Sequence, residues 1–166
     1  FPEQALRPLL PPGLILDTHD GYGFLAIALV QTESLRPAFL PSYLGRDFFL
    51  SGYRIFSRYR CRDGRLLRGL RILRSDTDRR LMAVFGNLLT HYNYRTARVR
   101  AEELGTKWEV EIRTPGAEAD LHVVADLASE PEAPPPGSPF ADLREARRFA
   151  GPLPFTFDYE PESHSI

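Results

Sequence analysis

Residues 51–75 read SGYRIFSRYRCRDGRLLRGLRILRS, and this stretch decides the fold. Asp63-Gly64 lies between two runs of alternating character, and the dipeptide favours a type I′ hairpin because glycine tolerates positive φ. The arms are predicted over 51–62 and 65–75. With a period of two, Tyr53, Ile55, Ser57, Tyr59 and Cys61 share one face of the first arm, and Arg54, Phe56, Arg58 and Arg60 share the other. One face is expected to be mostly apolar and the other mostly arginine.

Towards the N-terminus, 14–18 and 23–33 read as strands around the turn-rich Asp17-Thr18-His19-Asp20-Gly21, and Pro37 and Pro41 then break regularity. Towards the C-terminus, Ser75 with Asp78 three residues on offers a helix cap and an early acid. Leu81, Met82, Val84, Phe85, Leu88 and Leu89 recur at helical spacing, which predicts a helix over 76–88. Strands are predicted over 91–102 and 106–114, joined around Gly105. The second sets Trp108, Val110 and Ile112 opposite Lys107, Glu109, Glu111 and Arg113, so its acids can face arginines of its neighbour. A strand over 121–127 precedes a proline-rich loop at 129–139. Ser138-Pro139 suits a helix start and Gly151 a stop, and 154–160 returns as a strand with Phe155, Phe157 and Tyr159 on one face. The pattern is that of a β-rich domain with two helices.

A chain of 166 residues, 43% of them hydrophobic, is long enough to bury a real core, and one domain over 1–166 is expected. No run of about 18 uncharged apolar residues crosses a bilayer and no signal peptide opens the chain, so a soluble, cytoplasmic protein without a membrane partner is expected. Cys61 is the only cysteine, which excludes an intrachain disulfide and a cysteine metal cluster and suggests a buried thiol. Because the chain opens on Phe1 and its only methionine is Met82, it is read as an excerpt or processed product, truncated at its ends. Oligomeric state is left open, with a homo-oligomer among the possibilities. Charge is uneven. Residues 54–100 hold thirteen arginines against three acids, and 101–166 hold five bases against fourteen acids. Opposite strands pairing across a sheet account for this better than a nucleic-acid surface, since no helix, finger or RNP signature accompanies the arginines.

Leu10-Pro11-Pro12-Gly13-Leu14, followed by Asp17 and Asp20-Gly21, resembles the opening of the YqjF-like domains of unknown function, in the acetoacetate decarboxylase-like superfamily. The order of N-terminal strands, the Gly52-Tyr53-Arg54 arm, the hairpin, a short helix and then Leu-Thr-His-Tyr-Asn-Tyr supports the likeness over most of the chain. The resemblance implies a mostly β (α+β) fold: a strongly curved, largely antiparallel sheet forming a cone-like or half-open barrel around a small-molecule pocket. Decarboxylases of this superfamily form a Schiff base through a lysine activated by a neighbouring cation and desolvation. Here Leu89, Thr90 and His91 stand where that lysine pair is expected. The one lysine, Lys107, lies a strand later among Glu109 and Glu111, acids that favour its ammonium form. Acetoacetate decarboxylation is therefore not expected.

Gly86 to Arg95, GNLLTHYNYR, remains the densest chemistry in the chain. His91 is the candidate general acid or base, with Asn93 and Arg95 on its strand face to hold an anion and Tyr92 and Tyr94 opposite; a satisfied strand-end histidine beside packed tyrosines is the plainer account. Arg54 and Arg74, near the hairpin's open end, are candidates to approach each other and His91. His19, His122 and His164 lack ligand spacing, so no metal is predicted, and Asp17 and Asp20 read as turn formers. No G-x-S-x-G elbow, phosphate loop or dinucleotide fingerprint occurs, so no cofactor is implied. The expected function is binding of a small anionic or carbonyl compound. The alternatives are a lyase or hydrolase using His91 and, at low weight, arginine-mediated nucleic-acid association.

Overall fold

The computed structural model describes residues 1–36, 38–39, 41–160 and 166. Pro37 and His164, both weighed above, lie outside the described residues. Among the described residues the protein is mostly strand, as expected for its fold class, with three short helices where about two were expected. In chain order these are α1 (Glu3–Leu6), β1 (Leu14–Leu16), β2 (Thr18–His19), β3 (Tyr22–Gly23), β4 (Leu25–Leu35), β5 (Arg46–Arg60), β6 (Leu66–Thr77), α2 (Arg80–Leu89), β7 (Tyr94–Thr96), β8 (Arg98–Leu104), β9 (Lys107–Arg113), β10 (Leu121–Asp126), α3 (Leu143–Ala150) and β11 (Phe155–Phe157). The chain forms two compact units. The first comprises Phe1–Ala26, Tyr53–Leu73 and Glu130–Ile166, the second Ile27–Gly52 and Arg74–Ser129. Strands β4, β5 and β6 contribute residues to both.

In the first unit β1 pairs antiparallel with β5 (Leu14↔Tyr59) and β11 pairs parallel with β6 (Phe155↔Gly69). The hairpin is present, but its turn is not type I′. Gly64 has φ 86°, Asp63 has no positive φ, and Gly64 N–H donates to the Cys61 carbonyl, so one left-handed residue closes the loop where type I′ needs two. Cys61, in this turn, is half-buried. Both faces of β5 are packed at its middle, and the mostly arginine face reaches solvent at Arg60. Ile55, Phe56 and Ser57 are all buried, because Leu6 and Leu16 cover Ile55 while the rings of Phe24 and Phe149 meet Phe56. Helix α3 starts at Leu143 and not at Ser138-Pro139. Asp142 accepts from Glu145 N–H (2.7 Å) and Glu145 Oε2 accepts from Ala141 N–H (2.8 Å), a reciprocal cap further along the chain. Gly151 ends the helix as expected.

In the second unit Phe49, Val110 and Ile112 form the core, with Leu29, Val99, Trp108 and Leu121 packed on it. Strands β8, β9 and β10 make an antiparallel sheet; β9 and β10 lie close to the predicted boundaries, whereas the strand expected over 91–102 is divided into β7 and β8, the latter beginning at Arg98. The charge pairing is mixed: Arg100 lies opposite Glu111, but Glu102 faces Glu109 and Arg98 faces Arg113. Neutralisation runs along each strand instead, with Arg100 on Glu102 (2.8 Å) and Arg113 on Glu111. The helix predicted over 76–88 begins at Arg80, since Ser75, Asp76 and Thr77 are the buried end of β6, paired parallel with Tyr94, Arg95 and Thr96 of β7. Asp78, the expected early acid of the helix, accepts from Phe49 N–H (2.9 Å) instead.

Candidate functional site

Helix α2 meets β7 through its small residues. Ala83 and Gly86 are buried, and a Cβ at Gly86 would lie 2.4 Å from the Tyr94 ring, so the ring needs a glycine there. Asn87 completes the join: its Nδ2 donates to the Tyr94 carbonyl (2.8 Å) and its Oδ1 accepts from Tyr94 N–H (2.7 Å), as a neighbouring strand would. Asn93, with φ 51°, turns the chain into β7, and its carbonyl accepts from Ser75 N–H (3.3 Å). That left-handed residue breaks the strand expected from His91 onward. The predicted alternation, Asn93 and Arg95 against Tyr92 and Tyr94, therefore does not apply.

Between these elements lies an open cavity of about 360 Å³, lined by Arg74, Ala83, Tyr94, Arg95, Thr96, Pro115 and Glu118. Two guanidinium groups converge at its wall on one carboxylate oxygen. Arg74 Nη1 (3.1 Å) and Arg95 Nη1 (2.6 Å) both donate to Glu118 Oε2. Glu118 is carried by a tight turn in which Gly116 and Ala117 have φ 74° and 55°. Arg74 is held from behind by Asp76, whose Oδ1 accepts from Arg74 Nε (2.8 Å). Two atoms of this cluster are buried without a hydrogen bond, Arg74 Nη2 and Asp76 Oδ2. Burial pushes the Asp76 carboxyl above the usual aspartate range, against the opposing hydrogen bond and charge of Arg74, the charge of Arg95 and, on the same side as burial, that of Glu118.

Of the predicted site residues, Arg74, Tyr94 and Arg95 line this cavity. Tyr92 is half-buried with its ring 6.4 Å from that of Tyr94, and the exposed Asn93, whose Oδ1 accepts from Arg95 Nε (3.4 Å), is not among the lining residues. His91 is exposed in the connection before β7 and is not among the lining residues. Arg54 belongs to the first unit, on β5, with Nε buried and without a hydrogen bond. Sequence reasoning missed Glu118 and Asp76. An arginine and an acid two apart on one strand, Arg74-x-Asp76, was a usable signal for the second; Glu118 had none beyond the turn at Pro115-Gly116. A smaller hollow of about 100 Å³, between Arg100, Glu102, Glu109 and Glu111, lies among charge-paired side chains on β8 and β9 and holds no buried polar group of its own.

The first unit has its own arginine–carboxylate cluster. Asp17, expected to form a turn, is fully buried and paired with Arg58 (Nε 2.6 Å) and Arg68. Arg68 also donates to the Phe149 carbonyl (2.6 Å) and lies 4.3 Å over the Phe149 ring. His19 stacks on Phe140 (4.7 Å) with Glu145 at 3.6 Å. His122 meets Glu109 at 2.7 Å. Among the described residues no three His, Cys, Asp or Glu side chains are grouped to hold a metal ion, and no helix is long and apolar enough to cross a membrane.

The fold and cavity define a mostly β domain with two guanidinium groups at an open pocket. By sequence the chain belongs to the DUF2071 family, described as uncharacterized conserved proteins, which matches residues 1–149. No curated protein matches. Among solved structures the chain is similar to the acetoacetate decarboxylase of Legionella pneumophila subsp. pneumophila, at 15% identity and a TM-score of 0.49, over 70% of this chain and 40% of that one. The chain thus spans less than half the length of that enzyme.

Proposed function

We propose that this chain is one acetoacetate decarboxylase-like domain that binds a small anionic or carbonyl compound, such as an oxo acid, in the cavity of the second unit. The convergence of Arg74 and Arg95 on a single carboxylate oxygen carries the reading: the geometry already suits a carboxylate, and Glu118 holds the place of the ligand. Charge-assisted bonds from two guanidiniums are among the stronger polar contacts a protein offers. Arg74 Nη2, buried and without an acceptor, supplies a donor that Glu118 leaves unused. The ligand enters by displacing Glu118, whose side chain is largely exposed and costs little to release into water.

Imine chemistry is not part of this proposal, because Lys107 is exposed on β9 and the cavity lining contains no lysine. The test is calorimetric titration with pyruvate, acetoacetate and inorganic phosphate. Oxo-acid binding to the native chain is expected, with Kd raised roughly ten- to a hundredfold in Arg95→Ala, the loss of one charge-assisted hydrogen bond. Undiminished binding in both Arg95→Ala and Arg74→Ala would refute the site. Turnover of an oxo acid that disappears in His91→Ala would favour the enzyme reading over simple binding.

A further inference from the structure

Helix α2 turns its large side chains away from the body of the protein. Its buried side is Ala83 and Gly86 with Asn87 clasping Tyr94, whereas Leu81, Val84, Phe85, Leu88 and Leu89 are 70%, 63%, 55%, 75% and 78% exposed. These five stand at i, i+3, i+4, i+7 and i+8 and form one continuous stripe. Together they present on the order of 600 Å² of apolar surface, as large as the largest patches of typical monomers. They also supply most of the roughly 800 Å² that each partner contributes to a standard interface.

We infer that this stripe is a self-association surface, on which α2 of a second copy packs antiparallel about a two-fold axis. Two features select a second copy of this chain over another occupant. First, the stripe is self-complementary: a dyad between Val84 and Phe85 sets Leu81 against Leu88 of the other copy, Val84 against Phe85, and Arg80 against Leu89. Second, the helix is charged against its own dipole. Arg80 opens the helix with no acid in the first turn, whereas Arg79 before it is held by Asp78 (3.5 Å) and the Asp47 carbonyl (3.2 Å), and the last turn carries no base. An antiparallel copy corrects both ends at once, since its Arg80 guanidinium meets the carbonyl end that this helix leaves without a base, and the carbonyl end of the copy receives Arg80 of the first.

Sedimentation analysis of the native chain from 1 to 100 μM, in about 0.15 M salt, tests the inference. A concentration-dependent dimer is expected, with Leu88→Glu raising its Kd by roughly a hundredfold or more while the circular dichroism spectrum stays unchanged, because the side chain is exposed; the unfolding midpoints of variant and native chain agree below the native Kd and part above it, since dimerisation stabilises the folded state. Register is read separately in a Cys61→Ser background. Mixing Leu81→Cys with Leu88→Cys chains under mild oxidation should give the mixed disulfide in preference to either homodimer. A monomer throughout the concentration range overturns the inference, as does a dimer indifferent to Leu88→Glu. Preferential homodimers of Leu81→Cys overturn the antiparallel arrangement.

Discussion

The two arginine–carboxylate clusters are built from the same side chains and end in opposite states. Around Asp17 the charges are paired: the carboxylate is fully buried, Arg58 and Arg68 both bind it, and Arg68 also donates to the Phe149 carbonyl and lies over its ring. Around Asp76 the account stays open. Arg74 Nη2 and Asp76 Oδ2 lack partners, Glu118 is exposed, and the cluster borders a cavity. Native proteins satisfy nearly all buried polar atoms, so a buried guanidinium nitrogen without an acceptor beside a cavity is what the proposed ligand site rests on. The closed cluster ties strands of the first unit together, while the open one leaves polar atoms unmatched at a cavity.

That contrast can be broken in order of expected effect. Asp17→Ala removes the fully buried carboxylate that the partly exposed Arg58 and Arg68 share and should cost about 2–3 kcal/mol in denaturant unfolding; a loss below about 1 kcal/mol would mean that the first cluster is as incomplete as the second. Gly86→Ala drives a methyl group into the Tyr94 ring and should cost about 1–3 kcal/mol while weakening oxo-acid binding, since the cavity wall moves with the ring. If stability falls with affinity intact, Tyr94 is no part of the site. Glu118→Gln keeps the shape but removes the competing charge. Oxo-acid affinity should rise about five- to tenfold by titration, and an unchanged or lower affinity would show that Glu118 is a scaffold and not a place-holder.

The smallest effect is a pH dependence. Because burial raises the Asp76 carboxyl pKa, the folded chain holds that proton more readily than the unfolded chain does. Its contribution to stability is therefore present at acid pH and is lost as pH rises through the raised folded value. Asp76→Asn keeps an acceptor for Arg74 Nε, so its stability relative to the native chain should improve steadily over that same rise. Melting curves of the two proteins that stay parallel across the acid range would remove burial as the dominant influence on Asp76.

Much of the local order was legible in the residues. Asp63-Gly64 announced the hairpin, alternation around Trp108, Val110 and Ile112 gave β9 nearly to the residue, and Gly151 ended its helix. Legibility ended where the partner of a residue is distant in the chain. Asp17 meets Arg58 and Arg68 across 41 and 51 residues, and Arg74 meets Glu118 across 44, so no local pattern distinguishes a turn-forming aspartate from a buried counter-ion. Ser75-x-x-Asp78 looked like a helix cap because that signal is short-ranged. In the folded chain, pairing of β6 with β7 outweighs it and takes Ser75 and Asp76 into a strand.

By itself the sequence determined the elements that depend on neighbours: the strands, the glycine turn, the apolar spacing on α2 and the likeness to a family. Only the tertiary structure decided which charges close and which stay open, and that the stripe of α2 faces outward. Periodicity records that a face is apolar and composition records that a charge exists. Whether either finds a partner depends on segments brought together across the chain, and that is settled by packing.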